Sequence, residues 1–253
     1  MILYHYTSLS HFLGIWKDKK MYFSPAINTN DFFERFKTFT LTQNTFKCGG
    51  VRLDKTRFDH FDEKIWSELR KYRQVSFSCD YDEGIKGYAS PMMWGHYAWR
   101  KIGENSWQNG VCIALDSDKI KVPPYVYQPG KVLYSPTLES PKVENIDYTK
   151  EDAAALFVER NIKTYFFTKH KHWEHENEYR YISKQEGFLD IGEAIIGVYA
   201  LNDIFTPLED IRTIVKDDSL IYKISLRVDN LDYEPYTQKE VDDLQEMMRT
   251  FVW

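Results

Sequence analysis

Cysteine is scarce in this chain. There are three among 253 residues, Cys48, Cys79 and Cys112, and no CxxC pair. A set that is odd in number and scattered excludes a disulfide framework and a structural zinc site, and makes a reducing cytoplasm the expected compartment. A basic excess is missing too: 33 Lys and Arg stand against 38 Asp and Glu, for a net charge of -5, with both signs spread along the chain. A general phosphate-backbone binder would show a basic face, so general DNA-backbone binding is not expected, although a nucleic acid is not excluded as substrate at a local site. No apolar run approaches about 20 residues, so no membrane span is expected. Met1-Ile2-Leu3-Tyr4-His5 lacks the basic start and long apolar run of a signal peptide. GxGxxG, Walker and GxSxG loops are absent, which disfavours a Rossmann oxidoreductase, a P-loop NTPase and a serine hydrolase. His170, His172, His175 and Glu176 follow neither HExxH nor a paired cysteine–histidine spacing, so no metal is expected. No local signature marks Cys79 as a nucleophile, and buried structural thiols are the commoner case.

What is present is aromatic and amphipathic. Phe, Trp and Tyr make up 16% of the chain, with 18 Tyr and 7 Trp. Such rings suit a cleft for a flat polar ligand and equally suit an ordinary core. Residues 2–6 read as a strand, followed by a helix with Leu9, Phe12, Leu13 and Trp16 at helical spacing. A second strand over 20–24 stops at Pro25, and an aromatic helix follows with Phe32, Phe33, Phe36 and Phe39. A helix over about 56–73 carries the stripe Phe58, Phe61, Ile65, Trp66 and Leu69. In the strand 74–79, Val75, Phe77 and Cys79 face one way and Ser76 and Ser78 the other. Pro91 opens a short helix. The run 110–115 is continuously apolar, which places it centrally, covered on both faces. Another strand spans 131–134 and a helix 152–167. Beyond 183 come strands at 188–191, 194–199 and 220–226, with helices at 206–216 and 237–248. There is no repeat, low-complexity tract or linker, so residues 1–253 read as a single α+β domain.

The densest chemistry lies in Lys171-His172-Trp173-Glu174-His175-Glu176-Asn177-Glu178-Tyr179-Arg180-Tyr181-Ile182. From Asn177 this reads as a strand with Glu178, Arg180 and Ile182 on one face and Tyr179 and Tyr181 on the other. Same-face neighbours lie roughly 7 Å apart, so Glu178 and Arg180 can interact. Aimed into a cleft, the pair holds an anion or stabilises developing positive charge; aimed at solvent, it is a surface contact worth about 0–1 kcal/mol. Glu176 shares the face of Glu178 if the strand begins early. His5, beside Tyr4, Tyr6 and Thr7 at a strand end, can meet a ligand hydroxyl or simply bond a backbone carbonyl. Ser76 and Ser78 line a polar cleft or face solvent, with Phe77 as core. Trp94, His96 and Tyr97 cluster on the short helix, where packing is the commoner role.

Taken in order, these pieces carry a resemblance. They are Leu3-Tyr4-His5-Tyr6-Thr7, Phe23-Ser24-Pro25, Asn30-Asp31 with Glu34, Ser76-Phe77-Ser78, Met93-Trp94-Gly95-His96-Tyr97, Gly110-Val111-Cys112-Ile113 and Trp173-x-x-Glu176-x-Glu178-Tyr179-Arg180. Over roughly residues 2–183 the set resembles a bacterial family known as domain of unknown function 2971. That family in turn resembles the ADP-ribosyltransferase fold, and some abortive-infection proteins are similar. The resemblance implies a split, mostly antiparallel β core flanked by helices. It also implies an NAD-dependent ADP-ribosyl transfer enzyme, such as a toxin or phage-defence effector, with NAD as substrate and an unidentified protein or nucleic acid as acceptor. Three motif strands would then contribute His5, then Ser76 to Ser78 or Tyr22, then Glu178. By resemblance Glu178 stabilises the oxocarbenium-like charge on the ribose and Glu176 orients the acceptor. His5 holds the adenosine ribose, Tyr6, Tyr22 and Phe77 stack on nicotinamide, and Arg180 pairs a pyrophosphate oxygen or holds Glu178. Thr7 lies beside His5 on the same motif, and Trp94, His96, Tyr97 and Trp173 are further cleft candidates. Ser-Phe-Ser departs from the common Ser-Thr-Ser, and Arg180 is not required by the pattern. The alternatives are a non-catalytic nucleotide- or protein-binding module and an RNA-modifying enzyme.

Overall fold

A computed structural model describes residues 1–28, 55–104, 106–141, 150–202, 205–224 and 235–236. The expected aromatic helix with Phe32 and Phe39, Asn30-Asp31 with Glu34, Cys48 and the helix at 237–248 lie outside the described residues. In chain order the strands are β1 (Ile2–Thr7), β2 (Lys20–Tyr22), β3 (Ser24–Pro25), β4 (Arg73–Cys79), β5 (Arg100–Lys101), β6 (Trp107–Gln108), β7 (Val111–Asp116), β8 (Gly130–Lys131), β9 (Leu133–Ser135), β10 (Thr168–His170), β11 (Glu178–Ser183), β12 (Phe188–Asp190), β13 (Ile195–Leu201), β14 (Ile221–Ile224) and β15 (Pro235–Tyr236). The helices are α1 (Leu9–Asp18), α2 (Lys55–Leu69), α3 (Pro91–Met93, continued by a π-type turn Trp94–Ala98), α4 (Ala153–Arg160), α5 (Ile162–Phe166) and α6 (Leu208–Val215). Among the described residues no helix is long and apolar enough to cross a membrane.

The main sheet runs β15-β14-β13-β7-β1-β4-β11-β8, with β3 added to β4. Its pairings are antiparallel except β13 with β14, and it does not close on itself. The apolar run of β7 lies buried in the middle, as expected of a strand covered on both faces. On one face Leu3, Phe77, Cys79, Ile113, Leu115 and Tyr181 form a single core with Phe12 of α1 and Ile211 of α6.

The other face carries two separate cores. Phe61, Ile65 and Leu69 of α2 and Phe157 of α4 pack with Ile182 over the β4–β11 half. Tyr4, Tyr6, Cys112 and Ala114 pack under Met93, Trp94 and Ala98 over the β1–β7 half. The helix expected over 152–167 is two helices broken at Asn161, whose side-chain amide donates to the Phe157 carbonyl at 2.8 Å. The stripe of α1 is narrower than its spacing suggests: Phe12 is buried, but Leu13 is 52% exposed.

Candidate active site

The sheet splits between β1 and β4. These strands are paired only at Leu3–Cys79 and Tyr4–Ser78. Past that point β1 stays on β7 as far as Thr7, while the far end of β4 pairs instead with β3. The parting opens a cleft of about 800 Å³ that reaches both faces of the sheet: Ser10, His11 and Ile15 of α1 line it on the first face, and Met93, Tyr97 and Glu176 line it on the second, along the seam between the two cores there. That is the size of a small-molecule or cofactor site.

Register decides which side chains meet there, because directly opposed residues of an antiparallel pair point to the same face. Tyr4 opposes Ser78, Ser78 opposes Glu178, and Ser76 opposes Arg180. The two serines and the Glu178–Arg180 pair therefore share the face of the seam. Ser76 Oγ and Ser78 Oγ are both buried without a hydrogen-bond partner, and both residues line the cleft. Val75, Phe77 and Cys79 enter the core of the other face, so the alternation read from the sequence holds.

Between the serines and α3 lies a buried ionic cluster. Arg180 donates two parallel bonds to the Glu178 carboxylate, Nε to Oε1 at 2.6 Å and Nη2 to Oε2 at 2.7 Å. Lys169 Nζ reaches Glu176 Oε2 at 2.5 Å and Glu178 Oε2 at 3.1 Å. Tyr97 Oη donates to Glu176 Oε1 at 2.5 Å. Two acids are thus balanced by two cations, as buried charges require. Glu176, Glu178, Lys169 and Tyr97 line the cleft.

Glu176 does not reach this cluster by an early start to the strand. It ends a 3₁₀ segment, Lys171–Glu176, whose N-cap is His170, accepting from the His172 N–H. Asn177 then takes the left-handed conformation, φ 41° and ψ 56°, which asparagine tolerates better than most residues. Its amide donates to the carbonyls of Cys79 and Asp80 at 3.3 and 2.7 Å. This tie turns the chain so that Glu176 points inward beside Glu178.

His5 sits on the opposite face from Glu178, against the edge of Phe77 at 5.8 Å between ring centres, and lines the cleft where the strands part. Its Nδ1 lies 3.2 Å from the Ser76 carbonyl. A carbonyl only accepts, so the proton is on Nδ1 and Nε2 is left as an acceptor. Burial holds the imidazole down at about 4, against the pull of that hydrogen bond, so the ring is neutral at pH 7. Burial likewise pushes the Cys79 thiol up to about 11 and holds Cys112 well above the usual thiol range, which fits structural thiols rather than a nucleophile.

Other candidates sort unevenly. Thr7 is buried at the cleft, and Tyr22 is exposed on its rim, edge-on to Phe188. His96 is exposed at the mouth. Tyr6 borders the cleft, but its hydroxyl donates to the Gly87 carbonyl and its ring meets Trp94 edge-on, so it is committed to the core rather than to stacking on a ligand. Trp94 is a core residue away from the cleft, its indole donating to the Tyr88 carbonyl at 2.9 Å. Trp173 does not line the cleft either; its ring backs Lys169, with Nζ 5.3 Å from the ring centre. Arg180 is 1% exposed, and its Nη1 donates to the Phe166 carbonyl at 2.7 Å. It cannot meet a pyrophosphate and instead holds Glu178. Phe77 is core on the far face, with its edge to Tyr181, leaving little of its ring for a ligand.

Sequence reasoning missed Lys169, which lies just before the charged stretch. Its signal was a lysine soon after the apolar run Tyr165-Phe166-Phe167. Tyr134 was missed as well; its hydroxyl accepts from the Glu178 N–H at 2.9 Å. Among the described residues no three metal-ligating side chains come together.

Residues 93–181 match the family described as "Protein of unknown function (DUF2971)", the family that the ordered motifs resemble, and this supports membership of it. The matched span includes Tyr97, Lys169, both acids and Arg180. No curated protein and no solved structure matches the chain.

Proposed function

We propose that the cleft binds NAD and that the protein transfers its ADP-ribosyl group to an acceptor, releasing nicotinamide. The observation that carries this reading is the meeting of two unpartnered, buried seryl hydroxyls with two acids in one dinucleotide-sized cleft. The strands that bear the implied motifs, β1, β4 and β11, are neighbours in the sheet, which supports it further.

As the bond from nicotinamide to ribose lengthens, positive charge grows on the sugar, and a fixed carboxylate stabilises it. Glu178 accepts from Arg180 on both oxygens and from Lys169. Among the described residues Glu176 accepts from Tyr97 and Lys169 only, so about two of its four acceptor sites stay open. Glu176 is therefore the acid with capacity for the ribose or for the acceptor's proton, and Glu178 anchors it through Lys169. Ser76 and Ser78 offer hydroxyls to the sugar, His5 Nε2 accepts from a hydroxyl at the far end, and Tyr22 covers the nicotinamide from the rim.

A second reading, a non-catalytic nucleotide- or protein-binding module, is favoured by one observation: both acids are already neutralised by buried cations. Nicotinamide release from NAD separates the two. Under the enzyme reading the protein releases nicotinamide, and Glu176→Gln slows release about 10²- to 10³-fold with its circular dichroism unchanged. Tight NAD binding with no release under any acceptor supplied would leave the module.

A further inference from the structure

At one lip of the cleft, β5 and β6 form a two-stranded hairpin outside the main sheet. A lone hairpin is marginally stable, so its side chains must account for its being ordered. Trp99 and Trp107 stack face to face, 5.3 Å between centres and 12° between planes, and Phe205 meets Trp99 edge-on at 5.0 Å. The stack fixes the hairpin but does not hide it: Trp107 is 43% exposed and Ile102 61% exposed.

Lys101 opposes Trp107 in the hairpin register, so its ammonium lies on the same face as the stacked indoles. Arg100 faces the other way and lines the cleft together with Trp99. Both cations are exposed, and neither makes an ion pair among the described residues, so both are open to an anionic ligand. One exposed acid, Glu104, sits on the turn. The mouth of the cleft thus carries an open indole with one cation, Lys101, on its own face of the hairpin and a second, Arg100, on the cleft side.

We infer that this hairpin is a docking surface for single-stranded nucleic acid, with a base stacked on Trp107 and flanking phosphates on Lys101 and Arg100. Aromatic rings beside cations are how sequence-tolerant single-strand binders work: any base has a face to stack, and each phosphate bound adds a salt-dependent increment. A duplex keeps its bases stacked inside and cannot use Trp107 in this way. An acidic peptide could pair with the cations but has no flat ring to lay on Trp107, so it is the competitor that the test includes. The strand's role as ADP-ribose acceptor rests on the NAD reading; its binding does not.

The test is fluorescence anisotropy of the full-length protein, without NAD, against labelled single-stranded RNA and DNA oligonucleotides, a duplex and an acidic peptide. The expected result is single-strand binding that outcompetes the duplex and quenches tryptophan emission. Trp107→Ala should weaken it roughly 5- to 100-fold and Trp107→Phe, which keeps a stacking ring, less. Arg100→Ala with Lys101→Ala, which leaves the indole stack alone, should lower the salt slope by about 0.7 for each phosphate no longer neutralised. No single-strand binding at low salt, equal binding of the duplex, binding of the peptide alone, or affinity unchanged in both variants would each overturn the inference. Strand binding without nicotinamide release would keep this surface and sink the NAD reading instead.

Discussion

The side chain on which the site turns is Lys169. It is buried between two carboxylates, at 2.5 and 3.1 Å, and backed by the face of Trp173. Removing one partner of a buried ionic group costs more than the group ever contributed, because the remaining charges stay desolvated. Lys169→Met should lower the unfolding free energy by about 3–5 kcal/mol in urea titrations. The double variant that also carries Glu176→Gln should lose in total at least about 1 kcal/mol less than the sum of the two single losses. Additive losses would mean that the two groups are not coupled. His5 gives a second prediction, in pH. Its unfolded value is about 6.5, and burial lowers it to about 4 in the fold. Between those values the unfolded chain holds the extra proton, so the stabilisation is complete above pH 6.5 and is lost as pH falls toward 4. Urea midpoints of His5→Gln should fall less steeply than wild type across that window. A parallel fall would exclude His5 as the source.

At the scale of elements, much of the fold was legible because period and face are local properties. Val75, Phe77 and Cys79 against Ser76 and Ser78, and the unbroken apolar run of β7, follow from side-chain alternation and from which faces need cover. The face that His5 shares was not legible. It depends on Tyr4 opposing Ser78, and pairing between strands some 70 residues apart leaves no periodic trace in either. The route of Glu176 was hidden for a related reason: it depends on one left-handed residue, Asn177, rather than on strand alternation. That residue can be tested. Asn177→Ala loses the bonds to Cys79 and Asp80 and keeps a disfavoured backbone, so it should cost about 1–3 kcal/mol. Asn177→Gly loses the same bonds but accepts positive φ, so it should cost measurably less by urea unfolding. Equal losses would show that the backbone conformation contributes nothing.

For the whole molecule, the governing feature is that one face of the sheet has a single core and the other has two. The continuous core holds β13, β7, β1, β4 and β11 in one sheet, while the place where β1 and β4 part stays unfilled, walled by α1 on that face and opening on the other into the gap between the two opposing cores. Residues from distant parts of the chain, Ser78, Tyr97, Lys169 and Glu176, meet there because the sheet order brings β4 between β1 and β11. The ordered motifs implied by resemblance a meeting of His5, Ser76 to Ser78 and Glu178, and gave no sign of Lys169. They did not show that Arg180 would be spent on Glu178, or that Tyr6 and Trp94 would be spent on packing, because burial is a property of the assembled layers. The most direct measurement is a crystal structure with a non-hydrolysable NAD analogue. The analogue should lie in the cleft, with a ribose hydroxyl about 3 Å from Ser76 or Ser78 Oγ and the reacting ribose carbon facing Glu176. An analogue bound elsewhere, or a cleft that stays closed to it at saturating concentration, would contradict the account.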